Sequence, residues 1–192
     1  MEYVQPIRDK KQIENMKRYL KDSNLRDYLL FVLGINSGLR ISDLLKLTVD
    51  DVKSKERISI KETKTGKVKD FPLSDTCKKA IAEYLKETKL TEGVLFPSRK
   101  NKGNDIAKAI SRQQAYDVIN KAAEEVRVIT KTNGIRIGTH TLRKTFGYHA
   151  YQSGVGIEVI QKLLNHSAPS VTLRYLGITQ DELDEVYINL NL

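Results

Sequence analysis

One short stretch interrupts a chain whose apolar residues otherwise recur at helical spacing. Arg57 to Glu62 alternates apolar and polar, Val68 to Leu73 is a second extended run, and Lys64-Thr65-Gly66-Lys67 lies between them. Alternation with a period of two belongs to strands, so the stretch predicts a single β-hairpin with a basic tip. A lone hairpin in helical sequence excludes a parallel α/β sheet. The expected class is mainly α with a small antiparallel β-sheet (α+β).

Helical signals surround the hairpin. Asp9 is placed to cap a helix carrying Ile13, Met16 and Leu20, and a more apolar helix spans Leu25 to Ser37, stopped by Gly38. A short helix from Ser42 through Leu47 makes Gly38-Leu39-Arg40-Ile41 a tight corner. Further helices are expected at Asp75 to Glu87, Ser111 to Val126, His140 to Gln152, Gly156 to Leu164, Ser170 to Leu176 and Thr179 to about Asn189, with a loop over Glu92 to Asp105. Gly154, Gly156, Pro169 and Gly177 mark the joints. A length of 192 residues, 40% of them hydrophobic, fits one compact domain, with no internal repeat or low-complexity segment.

Charge narrows the partners. The formal net charge of +9 favours a polyanion, whether DNA, RNA or an acidic membrane. Residues 177–192 hold Asp181, Glu182, Asp184 and Glu185 and no Lys or Arg, so the other 176 residues sum to +13. Cys77 is the only cysteine, which rules out an internal disulfide and a thiolate metal cluster and suits a reducing compartment. The first residues are polar and read as no signal peptide, and the longest apolar run, Leu29 to Ile35, is far short of the ~20 residues a membrane span needs. A soluble, cytoplasmic protein is expected.

Several residues invite chemistry, yet each has a plain structural reading when taken singly. His140 and Arg143 stand three apart and share a helix face, as many solvated pairs do. His166 ends a short amphipathic helix, where it can meet terminal carbonyls. Tyr175 is one of nine tyrosines and reads by default as half-buried packing. Arg40 is three residues from Asp43, a possible ion pair, and Lys64 is a possible solvated hairpin tip. His149, the third histidine, lies on the arc of Leu142 and reads as a boundary residue. None of these readings explains the order of the whole series.

Ser37-Gly38-Leu39-Arg40-Ile41-Ser42-Asp43-Leu44-Leu45, a lysine in a hairpin, His140-x-x-Arg143, His166 and Tyr175 together resemble the tyrosine recombinase (phage integrase) family, including the 23 residues from Arg143 to His166 and the nine to Tyr175. The resemblance runs from about Arg8 to Gly177. It implies that Arg40 and Arg143 bind the phosphate, Tyr175 is the nucleophile, Lys64 the hairpin lysine, His140 the first histidine and His166 the position that is His or Trp, with Asp43 buttressing Arg40. Lys61 and Lys67 compete for the lysine role, and counting back from Phe71-Pro72-Leu73 selects Lys64. Asn165, Lys144 and Gly147 depart from the commonest pattern, where Gly, His and Ala are usual.

The resemblance implies a catalytic domain over 9–177, followed by an acidic helix (178–192) that docks on its own domain or on a neighbouring protomer; ahead of it the expected N-terminal tail (1–8), with no core-binding domain, departs from the family, whose members normally carry one. It implies cleavage and rejoining of double-stranded DNA through a 3′-phosphotyrosyl link, with no metal, ATP or other cofactor. Two guanidinium forks suit the charge that builds on the phosphate, His140 suits a base and Lys64 a general acid. Expected partners are double-stranded DNA, further copies of the chain in a tetrameric synapse on DNA, and a full-length recombinase or an accessory DNA-bending protein, in the nucleoid of a prokaryote or phage, without a membrane. Two alternatives stay open: a type IB topoisomerase-like relaxing or nicking enzyme, and a DNA-binding regulator of a full-length recombinase.

Overall fold

A computed structural model describes residues 4–98, 107–129 and 134–177, together with 184, 188 and 189. The terminal helix expected from Thr179, apart from those three residues, and residues 99–105 of the expected 92–105 loop lie outside the described residues. The element order is α1 (Lys10–Ser23), α2 (Leu25–Ser37), α3 (Ile41–Leu44), α4 (Val49–Val52), β1 (Arg57–Lys61), β2 (Val68–Pro72), α5 (Asp75–Thr88), α6 (Arg112–Glu125), α7 (Thr139–Gln152), α8 (Ile157–Leu163) and α9 (Pro169–Leu176).

Local chemistry sets these limits. The Asp9 carboxylate accepts from the Lys11 N–H at 2.7 Å and opens α1. Asn24 serves two helices, since its N–H donates to Leu20 O to close α1 and its side chain accepts from the Arg26 N–H to open α2. Ser111 and Gln114 cap α6 reciprocally, each side chain accepting from the other's backbone N–H. The helix expected from Ser42 to Leu47 is the shorter α3, ending at Leu44, and a further short helix, α4, follows beyond the expected range. Asp51 explains the break: its carboxylate accepts from both the N–H and the hydroxyl of Thr48, 2.8 Å each, and starts a new helical turn at Val49.

The two strands pair antiparallel from Arg57 opposite Pro72 to Lys61 opposite Val68. Residues 62–67 form the tip, closed by the Glu62 N–H on Lys67 O and the Gly66 N–H on Glu62 O, 2.9 Å each. The segment expected as plain loop after α5 partly pairs as well, through bridges from Thr48 to Val94 and from Pro97 to Ala109.

Helix α2 runs through the middle of the main core, with Leu29 to Leu33 wholly buried. Burying one such side chain contributes about 2 kcal/mol. At Gly34 an added Cβ would lie 2.5 Å from Leu142 Cδ1, so a bare backbone is what lets α2 and α7 pack closely. Ile160, Leu164 and Leu176 form a second, smaller cluster, against which Phe146, Ala150 and Tyr175 pack. Helix α7 therefore faces the main core through Leu142 and the small cluster through Phe146 and Ala150. Among the described residues no helix is long and apolar enough to cross a membrane.

Candidate active site

The corner after α2 is the foundation of the site. Gly38 adopts φ +59, ending α2 in the left-handed conformation that glycine accepts at little cost, and its open Cα faces the Phe146 ring, to which an added Cβ would come within 2.6 Å. A helix C-terminus leaves carbonyls without partners and carries partial negative charge. Here two cations take them: Lys69 Nζ donates to Ser37 O at 2.8 Å, and Arg143 Nη1 donates to Gly38 O at 2.7 Å. The other end of the Arg143 fork, Nη2, donates to Leu164 O at the end of α8. Arg143 thus joins two helix ends and is 2% exposed, whereas His140, three residues earlier, is exposed. The shared solvated face read from their spacing does not exist, because α7 lies between two cores.

Arg40 is extended (φ −69, ψ 146) just before α3, and its Nη1 lies 2.8 Å from Glu62 Oε1. The same oxygen is 3.6 Å from Arg143 Nη1. The expected support of Arg40 by Asp43 is corrected here. Asp43 is buried, but its Oδ1 accepts from the Thr63 N–H at 2.9 Å, so it pins the hairpin tip while Glu62 meets the arginine.

Arg40, Ser42, Thr63, Lys64, Arg112 and His140 are among the residues lining a cleft of about 640 Å3. Tyr175, half-buried in the last turn of α9, stands beside it with its hydroxyl 3.4 Å from His140 O. The His166 ring meets the Tyr175 ring edge-on at 5.0 Å, and its Nδ1 is 3.0 Å from the buried Thr172 hydroxyl. Lys144 Nζ lies 5.2 Å from the centre of the Tyr175 ring. The structure therefore gathers all six candidates: Arg40, Lys64 and His140 around the cleft, Arg143 joined to Arg40 through Glu62, and Tyr175 bridging His140 and His166.

Electrostatics follow from this crowding. Burial pushes the Tyr175 phenol up to about 12, against the opposing pull of Arg143 and Arg40. Burial, then Arg143 and Arg40, takes His166 down to about 4, while burial and the cations Arg143, Lys144, Lys64 and Arg40 lower His140. Both imidazoles are neutral at pH 7. Burial brings Lys69 to about 7, with Arg143 adding to the fall, and Lys144 to about 8. Glu62, Lys69 and Arg112 were missed by sequence reasoning. Each looks like an ordinary polar surface residue, and no spacing rule marks it. Among the described residues, no cluster of His, Cys, Asp or Glu could hold a metal ion.

The chain matches the model of the phage integrase family over residues 8–182. It is 45% identical over 187 residues to a probable integrase/recombinase, YoeC, of Bacillus subtilis (strain 168), covering 97% of each chain. It is 32% identical to the tyrosine recombinase XerA of Pyrococcus horikoshii, covering 84% of this chain and 54% of that one, so it spans about half the length of such relatives. Among solved structures, a XerA recombinase superposes with TM-score 0.77 at 19% identity, over 100% of this chain and 67% of that one. XerH bound to its palindromic difH substrate, described as a post-cleavage complex, superposes with TM-score 0.72 at 19% identity, over 96% and 53%. The chain belongs to the phage integrase family and carries its tyrosine recombinase catalytic domain. Its relatives define the class of enzyme, one that breaks and rejoins DNA.

Proposed function

We propose that this domain cleaves and rejoins double-stranded DNA at specific sites, with Tyr175 as the nucleophile. The observation that carries the reading is the assembly, from a corner and two helices far apart in sequence, of Arg40 on the cleft, Arg143 joined to it through Glu62, and Tyr175 beside it with its hydroxyl on His140 O. The relatives are recombinases and integrases, and one structural neighbour holds its DNA substrate. A relaxing enzyme or a regulator is not favoured.

In this mechanism a phosphate enters the cleft and its non-bridging oxygens meet Arg40 and Arg143. Fixed donors aimed at developing charge are commonly the largest catalytic contribution, about 3 kcal/mol for each donor lost. The Tyr175 oxygen attacks phosphorus and the bond to the 5′ oxygen breaks. The phenolic proton passes to neutral His140, and Lys64, exposed at the cleft, protonates the departing 5′ oxygen. In this scheme neutral His166 is the tautomer in which Nδ1 accepts from the Thr172 hydroxyl, so that Nε2 carries the proton it donates to the phosphate. The 3′-phosphotyrosyl product keeps the energy of the diester, so a second 5′-hydroxyl reverses the step. Neither metal nor ATP enters this scheme, and strand exchange would join copies of the chain, four in a complete synapse.

A suicide DNA substrate tests this. Wild-type protein should form a denaturation-resistant adduct in EDTA, and Tyr175→Phe should bind DNA without forming it. Strict dependence on added divalent metal, or an adduct with the phenylalanine variant, would overturn the scheme.

A further inference from the structure

Glu62 is as deeply buried as any charge in the site and has no part in the chemistry proposed above. Its carboxylate is 1% exposed, and burying an ion costs several kcal/mol unless it is fully paired. Oε2 is hydrogen-bonded twice, whereas Oε1 has ion-pair contacts alone. Oε1 lies 2.8 Å from Arg40 Nη1 and 3.6 Å from Arg143 Nη1, and Oε2 accepts from the Thr65 hydroxyl at 2.8 Å and from Asn165 Nδ2 at 3.0 Å. Burial alone would raise this carboxyl, but Thr65, Asn165 and Arg40 together hold it below the usual range, so it is an anion at neutral pH.

Four parts of the chain meet on this one group: the corner of Arg40, helix α7 through Arg143, the hairpin tip through Thr65, and the α8–α9 junction through Asn165, next to His166. The backbone of Glu62 also closes the tip, through Lys67 O and the Gly66 N–H. Its neighbours Thr63 and Lys64 line the cleft, whereas Glu62 lies beneath the arginines on their buried side. The Arg40 contact is at ion-pair distance but not aligned as a hydrogen bond, so buried Arg40 Nη1 keeps hydrogens without an acceptor. Two guanidiniums repel, and an anion beneath them offsets that repulsion while Arg40 still lines the cleft.

We propose that Glu62 is a positioning residue: it fixes the spacing of Arg40 and Arg143 and ties the Lys64 hairpin to them, so that phosphate binding and protonation of the leaving oxygen share one frame. The inference rests on the phosphotyrosine reading above. Loss of the frame should cost turnover more than affinity, because misplacement of about 1 Å costs about 100-fold in rate, while removing a negative charge beside a phosphate site does not weaken binding of DNA.

The test compares wild type with Glu62→Gln, which keeps shape and removes charge, on one suicide duplex. The variant should form adduct about 100-fold more slowly, with a Kd for DNA within about threefold of wild type or tighter. On a substrate whose 5′ bridging oxygen is sulfur, the thiolate leaves without needing a proton, and the defect should shrink because the Lys64 contribution no longer matters. A wild-type rate in a folded variant would overturn the inference. So would equal losses of rate, affinity and melting temperature, which would make Glu62 merely structural, and an undiminished defect on the sulfur substrate would overturn the link to the hairpin. If Glu62→Gln does not fold, Thr65→Val with Asn165→Ala loosens the same carboxylate without unpairing a buried charge, and should show the same split between rate and affinity. Absence of adduct with wild type itself would instead defeat the phosphotyrosine reading.

Discussion

Lys69 carries an ammonium into a site already holding Arg40 and Arg143, and burial leaves its pKa at about 7 against an ordinary 10.5. Between those values the unfolded chain binds a proton that the folded chain does not, so stability rises with pH across this window, by up to about 5 kcal/mol. Below pH 7 the amine is charged in both states and the penalty is constant. Chemical denaturation from pH 7 to 10 should show this gain, and Lys69→Met should remove most of it. His140 supplies a second pH dependence with a definite sign. It must be neutral to accept the phenolic proton, and its pKa lies below 6.5, so the rate of adduct formation should hold down to that pH and then fall with further acidification. An acid limb centred above 6.5 would count against His140 as the base. At this scale the sequence revealed the residue types that stand out by family order, and structure was needed for those that support them. Arg40 finds Glu62 across a fold contact 22 positions away, which no helical periodicity encodes.

Elements were more legible than contacts. Asp9, Gly38, Ser111 and Gly177 are local stop and start signals, and the ends expected for the helices they bound lie within one residue of those observed. The hairpin was legible because a two-residue alternation cannot be mistaken for a 3.6-residue one. What the sequence hid was α4, which depends on a side-chain bond from Thr48 to Asp51, and the burial of Arg143, which depends on carbonyls supplied by α2 and α8. Gly38 is where an element limit and the site coincide. Gly38→Ala would place a side chain at φ +59, costing about 1–2 kcal/mol, and press its Cβ onto Phe146. Urea unfolding should show at least that loss. Because the corner also sets Gly38 O for Arg143 and the path to Arg40, adduct formation in the folded variant should fall more than its stability does.

At the scale of the whole molecule, the cleft presents Arg40, Lys64 and Arg112 on a chain of net charge +9. Each phosphate neutralised releases counterions, so log K for DNA should fall with log salt at a slope of about −0.9 per contact, or about −3 for these three alone. A flat response in titrations from low to physiological salt would contradict the assignment of this cleft to DNA. A second prediction at this scale concerns the N-terminal strap. The Ile7 N–H donates to the Thr145 hydroxyl, Ile7 O is 2.9 Å from His149 Nε2, and Arg8 Nη2 donates to Gly177 O at 2.7 Å while its guanidinium lies over the Tyr148 ring. Arg8→Ala should cost about 1 kcal/mol of stability and raise hydrogen exchange at the end of α9 specifically.

That strap has a further consequence. Residues 8 and 177 are 169 positions apart along the chain, yet one hydrogen bond joins them, and Gly177 is the left-handed joint two residues beyond the nucleophile. The way into the domain and the way out of it share one address. Tension, a tether or a bulky graft applied just before residue 8 would reach the nucleophile's helix directly, without a relay through the core, so the domain's two doors open onto the same hinge.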